Sequence, residues 1–204
     1  MDPLVIPGLL SDEYEYIAGT AAQANEDRGK IASFYVVSVG SVVAAILGAP
    51  QVSNIEATQA NLAFAILFVL LSAIGVLTLL QLIRLRGAWF ESARAMGQIK
   101  EYYIKHFPEA NLEEAFRWRS GTLPEPFKPW SLHFFQSLQV ELLVGLMVGA
   151  AIFFFGQAGG IEDPWWWWPT IGGGMLSIVI QTSLYRRLLR QKASGENPRT
   201  TEPT

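Results

Sequence analysis
One carboxylate, Glu141, interrupts an otherwise uncharged apolar run from about Phe134 to Ala158. In hydrocarbon an unpaired carboxylate costs a few kcal/mol, so such a residue is expected to be paired or to carry protons or cations. Arg186 and Arg187 stand at the end of a later apolar run, and antiparallel helices would bring them toward its level. That arrangement gives a structural ion pair. The other reading makes Glu141 the relay or permeation residue of a small ion channel or transporter. A membrane boundary nearer Leu142 would leave it merely interfacial.

No other constellation supports catalysis. The chain has no cysteine, which excludes disulfides, thiolate metal sites, Fe–S clusters and a Cys nucleophile. Its two histidines, His106 and His133, have neither a second His nor a carboxylate at i±4, so zinc and haem sites are not expected. Ser and Thr belong to no nucleophile elbow. Gly172-Gly-Gly174 lacks the strand, the Lys and the spacing of a phosphate loop. The expectation is a non-enzymatic protein without a cofactor.

Small residues and tryptophans speak to packing instead. Gly40, Ala44 and Gly48 recur every four residues, as do Gly145 with Gly149 and Gly173 with Ser177. Such stripes let helix backbones approach in lipid, where contacts between helices rest on dispersion. They fit packing within the chain, or between copies of it. Trp165 to Trp168 follow Asp163, a potential cap, and Pro164, which suits a first helical turn. Four successive indoles spread around a helix, and with Trp130 they are expected to lie at headgroup level as membrane-interface anchors.

The elements that must position these residues are apolar helices. Four runs of about 19–25 residues, Ile31 to Ala49, Leu62 to Ile83, Phe134 to Ala158 and Pro164 to Leu184, can each cross roughly 30 Å of hydrocarbon. All 15 Lys and Arg residues lie before the first run, between the second and third, or after the fourth. The segments Pro50 to Asn61 and Gly159 to Asp163 have none. Cation-rich segments stay in the cytoplasm, so both termini are expected there. Charged residues make up 16% of the chain against ~25% in a soluble domain, which fits the same class. The net charge of -3 implies no nucleic-acid partner. The start, Met-Asp-Pro, lacks the basic region of a cleaved signal, leaving the first run as the insertion signal.

The resulting fold class is all-α, a polytopic four-transmembrane-helix bundle with a cytoplasmic helical extension between the second and third spans. Residues 1–30 form a cytoplasmic N-terminal arm and helix, 31–83 the first transmembrane hairpin, 84–131 a cytoplasmic helical segment with a Pro-rich linker. Residues 132–185 form the second hairpin, and 186–204 a basic, then disordered cytoplasmic tail. After an irregular stretch 1–10, Ser11 is expected to cap a helix that runs unbroken to Gly48. The second span continues past the membrane to Pro108. Along that extension Leu82, Leu85, Trp89, Ser92, Met96, Ile99 and Tyr103 recur at alternating steps of three and four, and Leu85, Trp89, Met96, Ile99 and Tyr103 of this series form a coiled-coil-like association seam. A short helix, Ala110 to Arg119, and a linker with Pro124, Pro126 and Pro129 follow.

Asn25-Glu-Asp-Arg-Gly-Lys30 running into Phe34-Tyr-Val-Val, followed by a second span that continues into a long cytoplasmic helix, resembles small bacterial membrane effectors of nucleotide-signalled phage defence. These are the SLATT-type and transmembrane Pycsar effectors, and the resemblance covers about residues 20–106. It implies a cytoplasmic part that senses a signal or partner and membrane helices that oligomerise to impair the bilayer. The expected role is helix association in a plasma membrane or bacterial inner membrane, as an effector or as an accessory subunit of a complex. The expected partners are the lipid bilayer and either further copies of the chain or a protein complex.

Overall fold
The computed structural model describes residues 5–48, 56–116, 119–123, 127–128, 130–161 and 164–194. Helix α1 spans Val5–Gly48 without a break. It starts earlier than a Ser11 cap would allow. Pro7 falls in its first turn, where the missing N–H has no intrahelical partner to lose. Helix α2 spans Ala57–His106, so the second apolar run and the following extension are one rod. Lys105 and His106 occupy its last turn, matching the negative end of the helix dipole, and Pro108 follows immediately.

Beyond α2 the chain shortens its steps. A 3-10 turn, Pro108–Ala110, leads to Asn111, whose φ of 46° is left-handed, and then to the single turn α3, Leu112–Ala115. The expected helix from Ala110 to Arg119 does not form. Asn tolerates the left-handed region, and the reversal at Asn111 separates the two short turns. Another 3-10 turn covers Ser120–Thr122. The prolines at 124, 126 and 129, the Asp163 cap and the tail 195–204 lie outside the described residues.

Helix α4, Leu132–Ala158, has sharp ends. The Ser131 hydroxyl caps its start by accepting the Phe134 N–H. Its end is a Schellman motif built on Gly160, with φ 72°: Gly160 N–H donates to Gln157 and Ile161 N–H to Gly156. A 3-10 turn, Pro164–Trp166, then leads into α5, Trp167–Ser194.

Three helices are long and apolar enough to cross a membrane, over Gly8–Ile46, Ala57–His106 and Leu132–Ala158. Helix α5 is not among them, because glycines 172–174 and the Gln181-Thr-Ser183 step dilute its apolar content.

The chain divides into two compact units, Met1–Arg28 with Ile83–Lys128 and Leu189–Thr204, and Gly29–Leu82 with Pro129–Leu188. In the first, which carries most of the charge, Lys100 Nζ lies 5.8 Å from the Tyr14 ring and 5.6 Å from the Phe116 ring, tying α1, α2 and the connector together. Arg86 is buried, with its guanidinium 4.6 Å from the Trp89 ring centre. The residues of the expected seam, Leu85, Trp89, Met96, Ile99 and Tyr103, are only half-buried. The fully buried track is offset by one position, through Arg86, Ala93 and Gly97. Gly97 lies on it because neighbouring backbone comes close: a Cβ there would stand 3.0 Å from the Ser120 nitrogen.

In the second, apolar unit, α1, α2 and α4 meet at Gly75. A Cβ there would collide with Tyr35 from α1 and Val144 from α4. Glycine leaves room for the Tyr35 ring, which is buried and donates its hydroxyl to the Leu71 carbonyl at 3.2 Å. Phe154 adds contacts to α2, its ring 5.3 Å from Phe64 and 5.5 Å from Phe68.

Candidate functional site
Glu141 sits in the hairpin formed by α4 and α5. Where α4 and α5 cross, glycine replaces side chains on both helices. A Cβ on Gly174 would lie 2.8 Å from the Gly145 carbonyl oxygen, one on Gly145 would lie 3.0 Å from the Gly174 oxygen, and one on Gly149 3.1 Å from the Thr170 oxygen. Ile152 of α4 fills the space over Gly173, and Ile178 of α5 the space over Gly145. At the loop end, the Trp166 indole lies over Gly156. Gly145, Gly149 and Gly173 are thus used within the chain, with Gly174 beside them, while Ser177 accepts from Gln181 of its own helix. Backbone approach of this kind gains dispersion and Cα–H···O contacts where lipid offers no hydrophobic force between helices.

The same register sets Glu141 against Thr182. Glu141 is 2% exposed, and the Thr182 hydroxyl donates to its Oε2. Arg186, one turn further along α5, adds a coulombic attraction, while Arg187 is exposed. The direct partner is therefore a hydroxyl one turn nearer the hairpin centre than the expected arginines. An arginine at 186 lies beyond the level of Glu141 in this register, and Thr182 lies at it. Next to Thr182, Gln181 is buried and donates its amide to the Ser177 hydroxyl at 2.8 Å and to the Ser177 carbonyl at 3.2 Å. Ser137, one turn before Glu141, is buried and donates to the His133 carbonyl.

This polar set can hold a carboxylate in an apolar unit. Among the described residues, no group of three or more His, Asp or Glu could hold a metal ion. A shallow groove of about 560 Å³ runs along one face of α1, lined by Asp12, Glu15, Tyr16, Gly19, Thr20 and Gln23, and is open to its surroundings.

The other sequence-derived residues separate. Gly40, Ala44 and Gly48 are exposed, and no atom of another part of the chain lies within 4 Å of a Cβ built on either glycine. Among the described residues nothing packs over Gly40 or Gly48, and α1 turns Tyr35 and Val39 inward instead, since the larger side chains fill the core. Trp130 is 83% exposed, and Trp165, Trp167 and Trp168 are exposed as well. Trp166 departs from the expected anchor role, because its indole nitrogen is buried against Gly156. Sequence reasoning missed Thr182, Gln181 and the Tyr35–Gly75 fit. A hydroxyl four residues before Arg186 on the same helical face was the available signal for Thr182. Gly75 is a lone glycine and gave none.

No protein-family model, no curated protein and no solved structure matches this chain.

Proposed function
We propose that the chain is a non-enzymatic integral membrane protein that crosses the bilayer four times, with both termini in the cytoplasm, and acts through helix association. The observation that carries this reading is the inverted polarity of the apolar unit. Phe34 and Val37 of α1, Ile66, Leu70 and Leu77 of α2, Leu142 and Leu146 of α4, and Ile171, Met175, Leu176, Val179 and Ile180 of α5 are all exposed. Glu141, Ser137, Thr170 and Gln181 are buried. Water would penalise such an outer surface, and lipid favours it. The exposed face of α5 carries Ile171, Met175, Leu176, Val179 and Ile180, which supports a fourth crossing.

Orientation follows from the cations, which are absent from the segments joining α1 to α2 and α4 to α5. The role as a membrane effector or as an accessory subunit of a complex draws on the layout of residues 20–106 and its resemblance to SLATT-type and transmembrane Pycsar effectors. The channel or transporter reading finds less support, because Glu141 is buried and engaged by Thr182.

Single cysteines at Ser53, Gly160, Ser120 and Ser194 of this cysteine-free chain test the topology with an impermeant maleimide on intact cells. Ser53 and Gly160 are expected to react from outside and the other two to stay protected. Labelling of Ser120 overturns the orientation. Co-purification in mild detergent followed by mass spectrometry distinguishes self-association from a subunit role, and proteoliposomes without ion flux are expected in either case.

A further inference from the structure
We propose that the outward face of the N-terminal half of α1, bearing Leu9, Asp12, Glu15, Tyr16, Gly19 and Gln23, docks a Lys- and Arg-bearing helix of a partner protein. This inference rests on the helix-association reading above and names the chemistry of the partner.

Within the charged unit α1 has two unlike sides. Its inward side is already filled: Ala21, Ala24 and Arg28 are buried, and the Tyr14 ring takes Lys100. The opposite side is the wall of the open groove of about 560 Å³. Leu9, Asp12, Tyr16, Gly19 and Gln23 follow one another there at alternating steps of three and four, the spacing by which one helix meets another. All five are exposed, Leu9 by 67% and Tyr16 by 73%. Among the described residues nothing lies within 4 Å of a Cβ built on Gly19, so the middle of the face is low enough for a second helix to approach. From Leu9 to Gln23 the face is about 21 Å long, matching four turns of a partner helix.

Charge decides the occupant. Residues 1–27 contain six carboxylates and no Lys or Arg. Asp12 and Glu15 are exposed, and among the described residues neither has an ion pair. One turn separates Asp12 from both Glu15 and Tyr16, so a cation reaching this level meets two carboxylates and the face of a phenol ring. Anionic lipid headgroups attract cations and repel such a surface, so the membrane does not cover it. Pairing of the same face between two copies would set Asp12 and Glu15 against like charges. A basic helix avoids both conflicts, its apolar residues meeting Leu9 and Tyr16 and its cations the carboxylates.

The test uses the full chain in phosphatidylcholine nanodiscs and two labelled synthetic helices of about four turns. The helices share the same Leu and Ala residues, one flanked by Lys and the other by Glu, and fluorescence anisotropy reads binding over empty nanodiscs. The Lys helix is expected to bind, more weakly at high salt, and the Glu helix to stay free. Asp12→Asn with Glu15→Gln is expected to weaken the Lys helix about 5-fold, as two exposed ion pairs would. Glu109→Gln with Glu114→Gln removes the same charge from the connector after α2 and is expected to leave binding unchanged. Tyr16→Ala is expected to weaken the Lys helix and Tyr16→Phe to retain it. Equal binding of the two helices, unchanged binding in the Asp12 and Glu15 variant, or an equal loss in the Glu109 and Glu114 control overturns the proposal. So does a disulfide between two copies through Gly19→Cys, which would make a second copy the occupant. Purification in mild detergent separates the two levels. A chain that emerges monomeric and alone overturns helix association and this surface with it, whereas companions that stay bound to the Asp12 and Glu15 variant overturn the surface alone.

Discussion
Gly145 and Gly174 meet backbone to backbone, each glycine's missing side chain facing the other's carbonyl oxygen. A carbonyl in a helix cannot swing aside as a side-chain tip can, so a methyl at either position must push the helices apart. Gly174→Ala is expected to lower stability by about 1–3 kcal/mol, the cost of overpacking. Gly172→Ala is the control, since among the described residues no atom lies within 4 Å of its Cβ. It is expected to be neutral or to stabilise by up to ~1 kcal/mol through helix propensity. Unfolding in detergent with a titrated denaturant reads both. Equal behaviour of the two variants would dissociate the hairpin from its glycines.

Thr182→Val removes the hydroxyl that serves Glu141 while keeping the side chain's shape. Leaving a buried polar group unsatisfied is expected to cost about 1–3 kcal/mol. Glu141→Leu together with Thr182→Val is expected to cost less than the sum of the single changes, and a double-mutant cycle measures the coupling. Proteoliposomes of the parent chain are expected to show no proton or cation flux; flux abolished by Glu141→Gln at unchanged stability would favour the channel reading.

At Gly75, where Tyr35 and Val144 converge, Gly75→Ala forces one of them to move. The expected loss is again about 1–3 kcal/mol. Tyr35→Phe forfeits the bond to the Leu71 carbonyl and is expected to cost about 0.5–1.5 kcal/mol. The two changes should be strongly non-additive, because both act on one ring.

Lys100 lies between two aromatic rings, so its replacement by Glu removes an attraction at both and places a negative charge against two π faces. A loss of roughly 1–2 kcal/mol is expected. Lys100→Arg is expected to retain most of the stability. Met96→Glu and Ile99→Glu, on the half-buried face beside this site, are expected to disrupt assembly or lower thermal stability in detergent. If both migrate and melt like the parent chain, that face is a solvated spacer.

The helices themselves were legible, because uncharged runs of this length admit few alternatives and Pro108 marks where α2 must stop. Boundaries failed where a local signal was outweighed. Ser11 offers a good cap, yet the helix continues through it to Val5, since a first-turn proline costs no hydrogen bond. The association seam was drawn through the largest apolar residues, whereas Ala93 and Gly97 are buried, Gly97 through the close approach of the Ser120 backbone. Among the small-residue stripes, sequence could not tell which faces inward. Gly145 and Gly149 do and Gly40 does not, a difference fixed by which neighbouring helix is present rather than by the spacing. Glu141 could be identified from its isolation, but its partner depended on the hairpin register, which only packing determines.

One indole of the four-tryptophan run is folded over Gly156 while its neighbours face outward. The run is therefore not optically uniform. Trp166 should emit from a rigid, shielded environment, and brominated lipid should quench Trp165, Trp167 and Trp168 before it. Any event that unzips α4 from α5 would carry a single chromophore across that boundary, so the hairpin has an intrinsic gauge of its own closure.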